Sequence, residues 1–134
     1  VNTSGNPYAH TILRGSTNKY GRSRPNYHYE DLMKLYDMYG ERNLKNPATI
    51  VDANHANSDK QFKEQIRIVN EVLHSRSLSN DIRSLVKGVM IESYLVEGSQ
   101  KIGCHPHIYG QSITDPCLGW EDSEKLLYEI AEKC

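Results

Sequence analysis

Four polar side chains follow short runs of sequence whose composition suits a strand or the loop after one. They are Arg14 after residues 9–13, His55 after 49–54, Glu92 after 86–91 and Asp115 after 111–114. In α/β proteins with parallel strands, the carboxyl ends of the strands carry the chemistry, because loops vary there while the sheet below stays rigid. One arginine, one imidazole and two carboxylates at such an edge predict a site for an anion and a metal ion.

Hydrophobic patterning predicts the elements that must position these side chains. Short apolar or β-branched runs predict strands at residues 8–13, 48–53 and 87–92, and apolar residues at helical spacing predict helices at 29–39, 59–74 and 120–133. A Gly/Ser/Asn/Arg-rich stretch at 15–26 and a long loop through 98–110 connect them, and a short helical turn fits 81–85. This order, with its short connections, is typical of right-handed βαβ crossovers in a parallel sheet.

Two of the predicted helices have detailed signals. Ser58 with Gln61 three residues later forms a capping box, which predicts that the second helix begins at about Asp59. Residues 75–80 are expected to end that helix. In the last helix, the side chains expected to face inward are Leu126, Leu127, Ile130 and Ala131.

The number of βα units constrains the fold. A sheet of three parallel strands would leave both edges unpaired, and parallel sheets are normally covered on both faces. Closed (β/α)8 barrels use eight units and about 250 residues, so this chain has the content of about three units. No Gly-rich phosphate loop follows any strand, which disfavours a doubly wound fold. We therefore predict a single α/β domain over residues 1–134 that forms part of a TIM (β/α)8 barrel.

Composition excludes several classes of partner. The chain of 134 residues has a formal net charge of -1, which makes no electrostatic case for nucleic acid or an anionic membrane. Apolar stretches fall short of the about 20 residues of a membrane span, and the first residues lack the order of a secretion signal. Three cysteines without CxxC spacing predict reduced thiols. These features together predict a cytoplasmic protein.

Four segments carry motifs that are specific in combination. They are Gly-Asn-Pro at 5–7 with His-Thr-Ile-Leu-Arg-Gly at 10–15, Asn-His-Ala-Asn-Ser at 54–58 with Lys-Gln-Phe at 60–62, Gly-Val-Met-Ile-Glu-Ser-Tyr-Leu-Val-Glu-Gly at 88–98, and Gly-Gln-Ser-Ile-Thr-Asp-Pro-Cys-Leu-Gly-Trp-Glu-Asp at 110–122. In this order they resemble the C-terminal part of the type I 3-deoxy-D-arabino-heptulosonate 7-phosphate (DAHP) synthases. Members of that family are full (β/α)8 barrels, so the resemblance implies that this chain supplies strands six to eight.

The resemblance also implies a function. The family condenses phosphoenolpyruvate with erythrose 4-phosphate and needs a divalent metal, for which one imidazole and two carboxylates suit Mn, Fe, Co or Zn. By matching motifs, His55, Glu92 and Asp115 would be metal ligands, and Arg14 and His55 would bind substrate. The family's fourth metal ligand, a cysteine, and most of its Lys/Arg cluster belong to earlier strands that this sequence does not contain. The isolated chain is therefore expected to be inactive or weakly active.

Other interpretations stay open from the sequence alone. His55 could satisfy backbone groups in a loop, Glu92 could form a salt bridge, Asp115 could be a turn residue before Pro116, and Arg14 could be a surface residue. Cys104, His105 and His107 could bind zinc, but no partner motif accompanies them. Asn54 and Tyr94 depart from the family, which usually has serine and often histidine there.

The second hypothesis for the whole chain is a binding module without catalysis. A half-barrel that retains metal or phosphate binding would oligomerise through its strand edges, because pairing hides unsatisfied backbone groups. We accordingly expect a homo-oligomer or pairing with a missing N-terminal half. A small α/β protein unrelated to the family remains the third hypothesis.

Overall fold

A computed structural model describes residues 1–103 and 106–134 of the chain. The elements in chain order are β1 (Thr11–Leu13), β2 (Ser16–Thr17), β3 (Ser23–Arg24), α1 (Tyr29–Glu41), β4 (Thr49–Asp52), α2 (Glu64–Leu78), α3 (Asn80–Leu85), β5 (Val86–Met90), β6 (Val96–Ser99), β7 (Gln111–Ser112) and α4 (Trp120–Lys133). The cysteine and histidine at positions 104 and 105, which the sequence raised as zinc ligands, lie outside the described residues.

The main sheet is parallel and has the strand order β1-β4-β5. Leu13 pairs with Val51, and Val51 pairs with Val89, so the carboxyl ends of the three strands lie at one edge. A register shift between Thr49 and Ile50 marks a local irregularity in the β4–β5 pairing. The predicted α/β class with parallel strands is therefore confirmed, while the numbering of these strands as six to eight of a barrel stays a prediction.

One face of this sheet packs against helices and forms the core. Val51 is fully buried and belongs to a hydrophobic cluster that α2 and α4 join, with members that include Ile68, Val72 and Leu126. Strand residues alternate between faces, so Ile12 and Met90 belong to the opposite face. Both are more than 40% exposed, at 47% and 41%. The face away from the core cluster thus presents apolar side chains to solvent.

The start of α2 differs from the prediction. The predicted capping box at Ser58 is wrong, because the Ser58 hydroxyl donates to Asn54 Oδ1 at 2.8 Å and accepts no N–H from the first turn of the helix. Asp59 and Lys60 have φ values of +53° and +60°, which no right-handed helix can accommodate. The helix therefore begins at Glu64, five residues later than expected.

The end of α2 also differs, because the helix continues to Leu78 through the predicted break. Ser79 then has extended backbone, and its hydroxyl accepts the N–H of Ile82 at 3.3 Å. The helix break, predicted to cover six residues, is therefore a single residue, Ser79, which ends α2 and caps α3. Serine is a favoured helix-capping residue, but of Ser58 and Ser79 it is Ser79 that caps a helix.

Three further details depart from the patterns. The stretch 15–26 contains the antiparallel pair β2–β3, and β6, which pairs in parallel with β7, extends into the start of the predicted long loop. In α4, Leu126 is buried and Ile130 packs on the core, but Leu127 and Ala131 are exposed rather than inward. Among the described residues, the helices are too short or too polar to cross a bilayer.

Candidate metal centre

His55 lies in the loop after β4 and has φ +48°, in the left-handed region that few non-glycine residues adopt. Its carbonyl accepts the N–H of Lys60 at 2.9 Å, which closes the loop around it. The imidazole Nδ1 is 2.7 Å from Asp52 Oδ2. Nε2 is therefore the ring nitrogen that faces the rest of the site.

Glu92 follows β5 by two residues, and a buried glutamine holds its backbone. The Glu92 N–H donates to Gln65 Oε1 at 2.7 Å, and Gln65 Nε2 donates to the Glu92 carbonyl at 3.1 Å. Gln65 is fully buried near the start of α2. This pair of hydrogen bonds couples the position of Glu92 to the helix that packs beneath the sheet.

Asp115 reaches the same place from the loop after β7. His55 Nε2 lies 3.6 Å from Glu92 Oε1 and 3.9 Å from Asp115 Oδ2. One potential ligand atom from each of the three residues lies within 4.8 Å of the others. The structure thus brings together the three residues that sequence reasoning nominated as ligands.

The donor set and spacing fit a first-row divalent ion. Ligand atoms about 2.1 Å from a common ion are at most about 4.2 Å apart, so both separations from Nε2 already satisfy that limit. One imidazole and two carboxylates suit Mn, Fe, Co or Zn, and they leave coordination positions open. Two carboxylates this close also repel each other unless a cation lies between them.

Arg14 follows β1 at the same edge of the sheet. It is exposed and lines an open cleft of about 460 Å³ with His55, Lys60 and Asp115. Lys60 Nζ is 3.9 Å from Asp115 Oδ1. The cleft therefore combines two cationic side chains with two of the three candidate ligands.

The loop that carries His55 is tied to β1 as well as to β4. The Asn57 side-chain amide donates to the carbonyls of Leu13 at 3.0 Å and Asp52 at 2.8 Å. Its Oδ1 accepts the N–H of Asn26 at 2.9 Å. Asn57 thereby links the ends of two strands and fixes the distance between the Arg14 and His55 segments.

Sequence reasoning missed the residues that support the candidate ligands. Asp52 could have been found from its spacing of three residues before His55, since metal-binding histidines commonly have a carboxylate partner. Gln65 carried no local signal, because its backbone partner is 27 residues away, and the role of Asn57 in joining two strands depends on the Leu13 carbonyl 44 residues away.

Cys117 lies beside two of the three candidate ligands. Its Sγ is 3.4 Å from the Asp115 carbonyl and 3.9 Å from Glu92 Oε2, and the residue is 7% exposed. Burial raises the pKa of the Cys117 thiol, and the nearby Glu92 and Asp115 carboxylates act in the same direction. The group is therefore a neutral thiol at pH 7.

We expect iodoacetamide at pH 8 to alkylate Cys117 roughly tenfold more slowly than the exposed Cys134, because the thiolate is the nucleophile. Raising the pKa lowers the thiolate fraction at a given pH, so modification of Cys117 should keep accelerating above the pH at which an ordinary thiol levels off. Peptide mass spectrometry measures both rates, and urea-unfolded chain serves as the control in which they converge. Equal rates in the folded chain would contradict the burial of this thiol.

Comparison with known proteins adds independent information. The family model of the DAHP synthetase I family matches residues 1–128. The Trp-sensitive phospho-2-dehydro-3-deoxyheptonate aldolase of Escherichia coli strain K12 is 42% identical over 130 residues, which cover 96% of this chain and 34% of that protein. The phospho-2-dehydro-3-deoxyheptonate aldolase of Haemophilus influenzae is 41% identical over 133 residues, which cover 98% of this chain and 34% of that protein.

A solved structure agrees with the sequence relatives. The phospho-2-dehydro-3-deoxyheptonate aldolase of Francisella tularensis SCHU S4 superposes with a TM-score of 0.84 at 36% identity, covering 98% of this chain and 36% of that chain. The present chain therefore spans about a third of the length of the relatives that it matches.

Proposed function

Because this chain belongs to the DAHP synthetase I family, we propose that it forms the metal-binding part of a DAHP synthase. In this proposal β1, β4 and β5 are strands six to eight of a (β/α)8 barrel. The reaction is the metal-dependent condensation of phosphoenolpyruvate with erythrose 4-phosphate, which opens the shikimate pathway. The observation that carries the proposal is the convergence of one imidazole and two carboxylates from three separate segments.

His55 Nε2, Glu92 and Asp115 would hold the metal ion, with Mn, Fe, Co and Zn as the candidates that the donor set suits. A bound ion would supply Lewis-acid polarisation of the erythrose 4-phosphate aldehyde. Gln65 holds the Glu92 backbone on both its N–H and its carbonyl, so the segment from which the carboxylate extends is already in position when an ion binds.

Arg14 would hold phosphoenolpyruvate without reacting. A guanidinium presents a planar fork that binds a phosphate or carboxylate through two hydrogen bonds. Arg14 lines the same cleft as His55, and Lys60 adds a second cation there. These side chains orient an anionic substrate beside the ligand cluster.

The site in this chain alone is incomplete by comparison with the family. The fourth ligand and most of the Lys/Arg cluster belong to earlier strands, and Ile12 and Met90 present an apolar face to solvent. We therefore propose that the isolated chain has little or no activity and that it functions when the remaining barrel strands are supplied.

Complementation tests this proposal. The chain is mixed with the N-terminal two-thirds of a family enzyme, and phosphate release from the two substrates is measured with Mn²⁺. We expect activity in the mixture and little or none from either part, because each part carries only some of the ligands. Glu92→Gln should abolish the restored activity, whereas Glu97→Gln should retain it, since Glu97 is exposed and pairs with Lys63 at 3.0 Å.

Failure of both Mn²⁺ binding by the chain and complementation would contradict the proposal. A mixture that stays active with Glu92→Gln would contradict the assignment of that ligand. Size-exclusion chromatography of the same mixture measures whether the two parts have assembled into a soluble complex.

The alternative function is a non-catalytic half-barrel that binds metal or phosphate and oligomerises through its strand edges. The specific observation in its favour is that β1 and β5 each pair on one side only within the described residues. Such an edge is a template for pairing with a second chain. Analytical ultracentrifugation distinguishes the two functions. An oligomer of this chain that persists after the N-terminal part is added would favour the alternative.

A further inference from the structure

The carboxylate of Asp52 makes two hydrogen bonds, and each uses a different oxygen. Asp52 is the last residue of β4 and is 1% exposed. Its Oδ1 accepts the backbone N–H of Asn54 at 2.9 Å, and its Oδ2 lies 2.7 Å from His55 Nδ1. The hydrogen bond from the Asn54 N–H holds the carboxylate in place, so Oδ2 is directed at His55 Nδ1.

This arrangement determines which nitrogen of His55 carries the hydrogen. An ionised carboxylate only accepts hydrogen bonds, so the hydrogen of the neutral imidazole lies on Nδ1. The lone pair is then on Nε2, which faces Glu92 Oε1 and Asp115 Oδ2 at 3.6 and 3.9 Å. A neutral imidazole needs that lone pair to bind a metal.

We propose that Asp52 is a positioning residue that holds His55 in the tautomer and orientation required of a metal ligand. This inference rests on the proposed function, because it assigns Asp52 to the support of the same metal centre. Asp52 does not touch the ion or the substrate and acts only through His55. The left-handed backbone of His55 and the hydrogen bond from Lys60 to its carbonyl restrain the loop, and Asp52 restrains the ring.

The variant Asp52→Asn separates positioning from a merely structural role. The backbone N–H of Asn54 requires the amide oxygen on its side, which places the amide NH₂ opposite His55 Nδ1. His55 Nδ1 must then accept a hydrogen bond from this NH₂, so the imidazole hydrogen moves to Nε2. The lone pair is thereby lost from the metal side of the ring. A purely structural Asp52 would tolerate this substitution, since the hydrogen bond from the Asn54 N–H is preserved.

The experiment measures the tautomer and the metal affinity in the full 134-residue chain. Imidazole ¹⁵N chemical shifts of the metal-free, neutral ring, assigned with His55→Gln, should show hydrogen on Nδ1 in the wild type and on Nε2 in Asp52→Asn. Mn²⁺ titration should show affinity about 10- to 100-fold lower for Asp52→Asn, the usual effect of losing such a support. The melting temperature should change little.

Asp31→Asn is the matched control, because Asp31 lies in α1, accepts the His28 N–H and is outside the site. It should leave both the His55 tautomer and the Mn²⁺ affinity unchanged. A wild-type ring with hydrogen on Nε2 would overturn the inference even if Asp52→Asn fails to fold. Unchanged Mn²⁺ affinity in a folded Asp52→Asn chain would overturn it as well. A wild-type chain with the Nδ1 hydrogen but no Mn²⁺ binding would refute the metal centre itself, and the ¹⁵N shifts identify that case.

Discussion

Replacing His55 by alanine is expected to lower the affinity of the chain for Mn²⁺ by more than about 100-fold. Loss of a residue that only supports a ligand typically costs about 10- to 100-fold. The substitution removes the only imidazole of the ligand cluster and leaves Glu92 and Asp115 as two neighbouring carboxylates. Two carboxylates alone hold a first-row ion weakly because the remaining positions must be filled by water. Isothermal titration calorimetry or the electron paramagnetic resonance signal of free Mn²⁺ measures the change.

His74→Ala provides the matched control for this prediction. His74 is exposed and lies in α2 about 15 Å along the helix from Glu64, where the helix begins near the site. The same chemical change there should leave Mn²⁺ affinity within experimental error of the wild type. If both variants bind alike, the ion is held elsewhere and the assignment of His55 as a ligand is wrong.

Replacing Gly15 by alanine is expected to destabilise the chain by about 2–5 kcal/mol. Gly15 has φ +70°, which costs an L-residue about 1–2 kcal/mol. A Cβ would also lie 2.9 Å from the Ala56 carbonyl carbon, the Arg24 carbonyl oxygen and the Asn57 nitrogen. All three are backbone atoms that cannot rotate away, and overpacking of this kind costs about 1–3 kcal/mol more. The midpoint of urea unfolding measures the sum.

Gly21→Ala separates the two contributions to that loss. Gly21 has a similar φ of +77°, but no heavy atom lies within 4 Å of the position that its new Cβ would occupy, so only the backbone cost applies. We expect it to cost about 1–2 kcal/mol, clearly less than Gly15→Ala. Equal losses from the two variants would mean that the loop of His55 moves aside without resistance.

The Gly15 position also bears on function. Its N–H donates to Asn26 Oδ1 at 2.8 Å, and its Cα lies against the loop that carries His55. A displaced loop would shift His55 relative to Glu92, so the same variant should weaken Mn²⁺ binding in the fraction that remains folded. Gly15 therefore contributes to the candidate site although it has no side chain.

Local sequence patterns predicted the main elements well where burial and hydrogen bonding involve residues that are close together in the sequence. The parallel direction of β1, β4 and β5 and the existence of α1, α2 and α4 followed from periodicity and short connections, whereas the order of the strands in the sheet was not predicted. The errors occurred where a tertiary contact overrode a local preference. Ser58 has the sequence of a helix cap, but it hydrogen bonds to Asn54 and leaves α2 to begin at Glu64.

The motifs around Arg14, His55, Glu92 and Asp115 could be found from sequence because each is a contiguous string of residues. Apart from Asp52, which lies three residues before His55, the side chains that support those residues could not be found in this way. Gln65 is an ordinary helical glutamine until α2 packs beneath β5, at which point its amide matches the Glu92 backbone in both donor and acceptor. In the same way, the exposure of Leu127 and Ala131 depends on what packs beside α4, which periodicity does not encode.

The order of residues by itself determined the family, the α/β class and the three side chains nominated as metal ligands, since these depend on residue type and on short-range spacing. Tertiary structure alone decided that Nε2 of His55, and not Nδ1, faces the two carboxylates. The physical reason is that metal binding depends on distances of a few ångströms between atoms from segments 23 to 60 residues apart, and only packing of the helices on the sheet sets such distances.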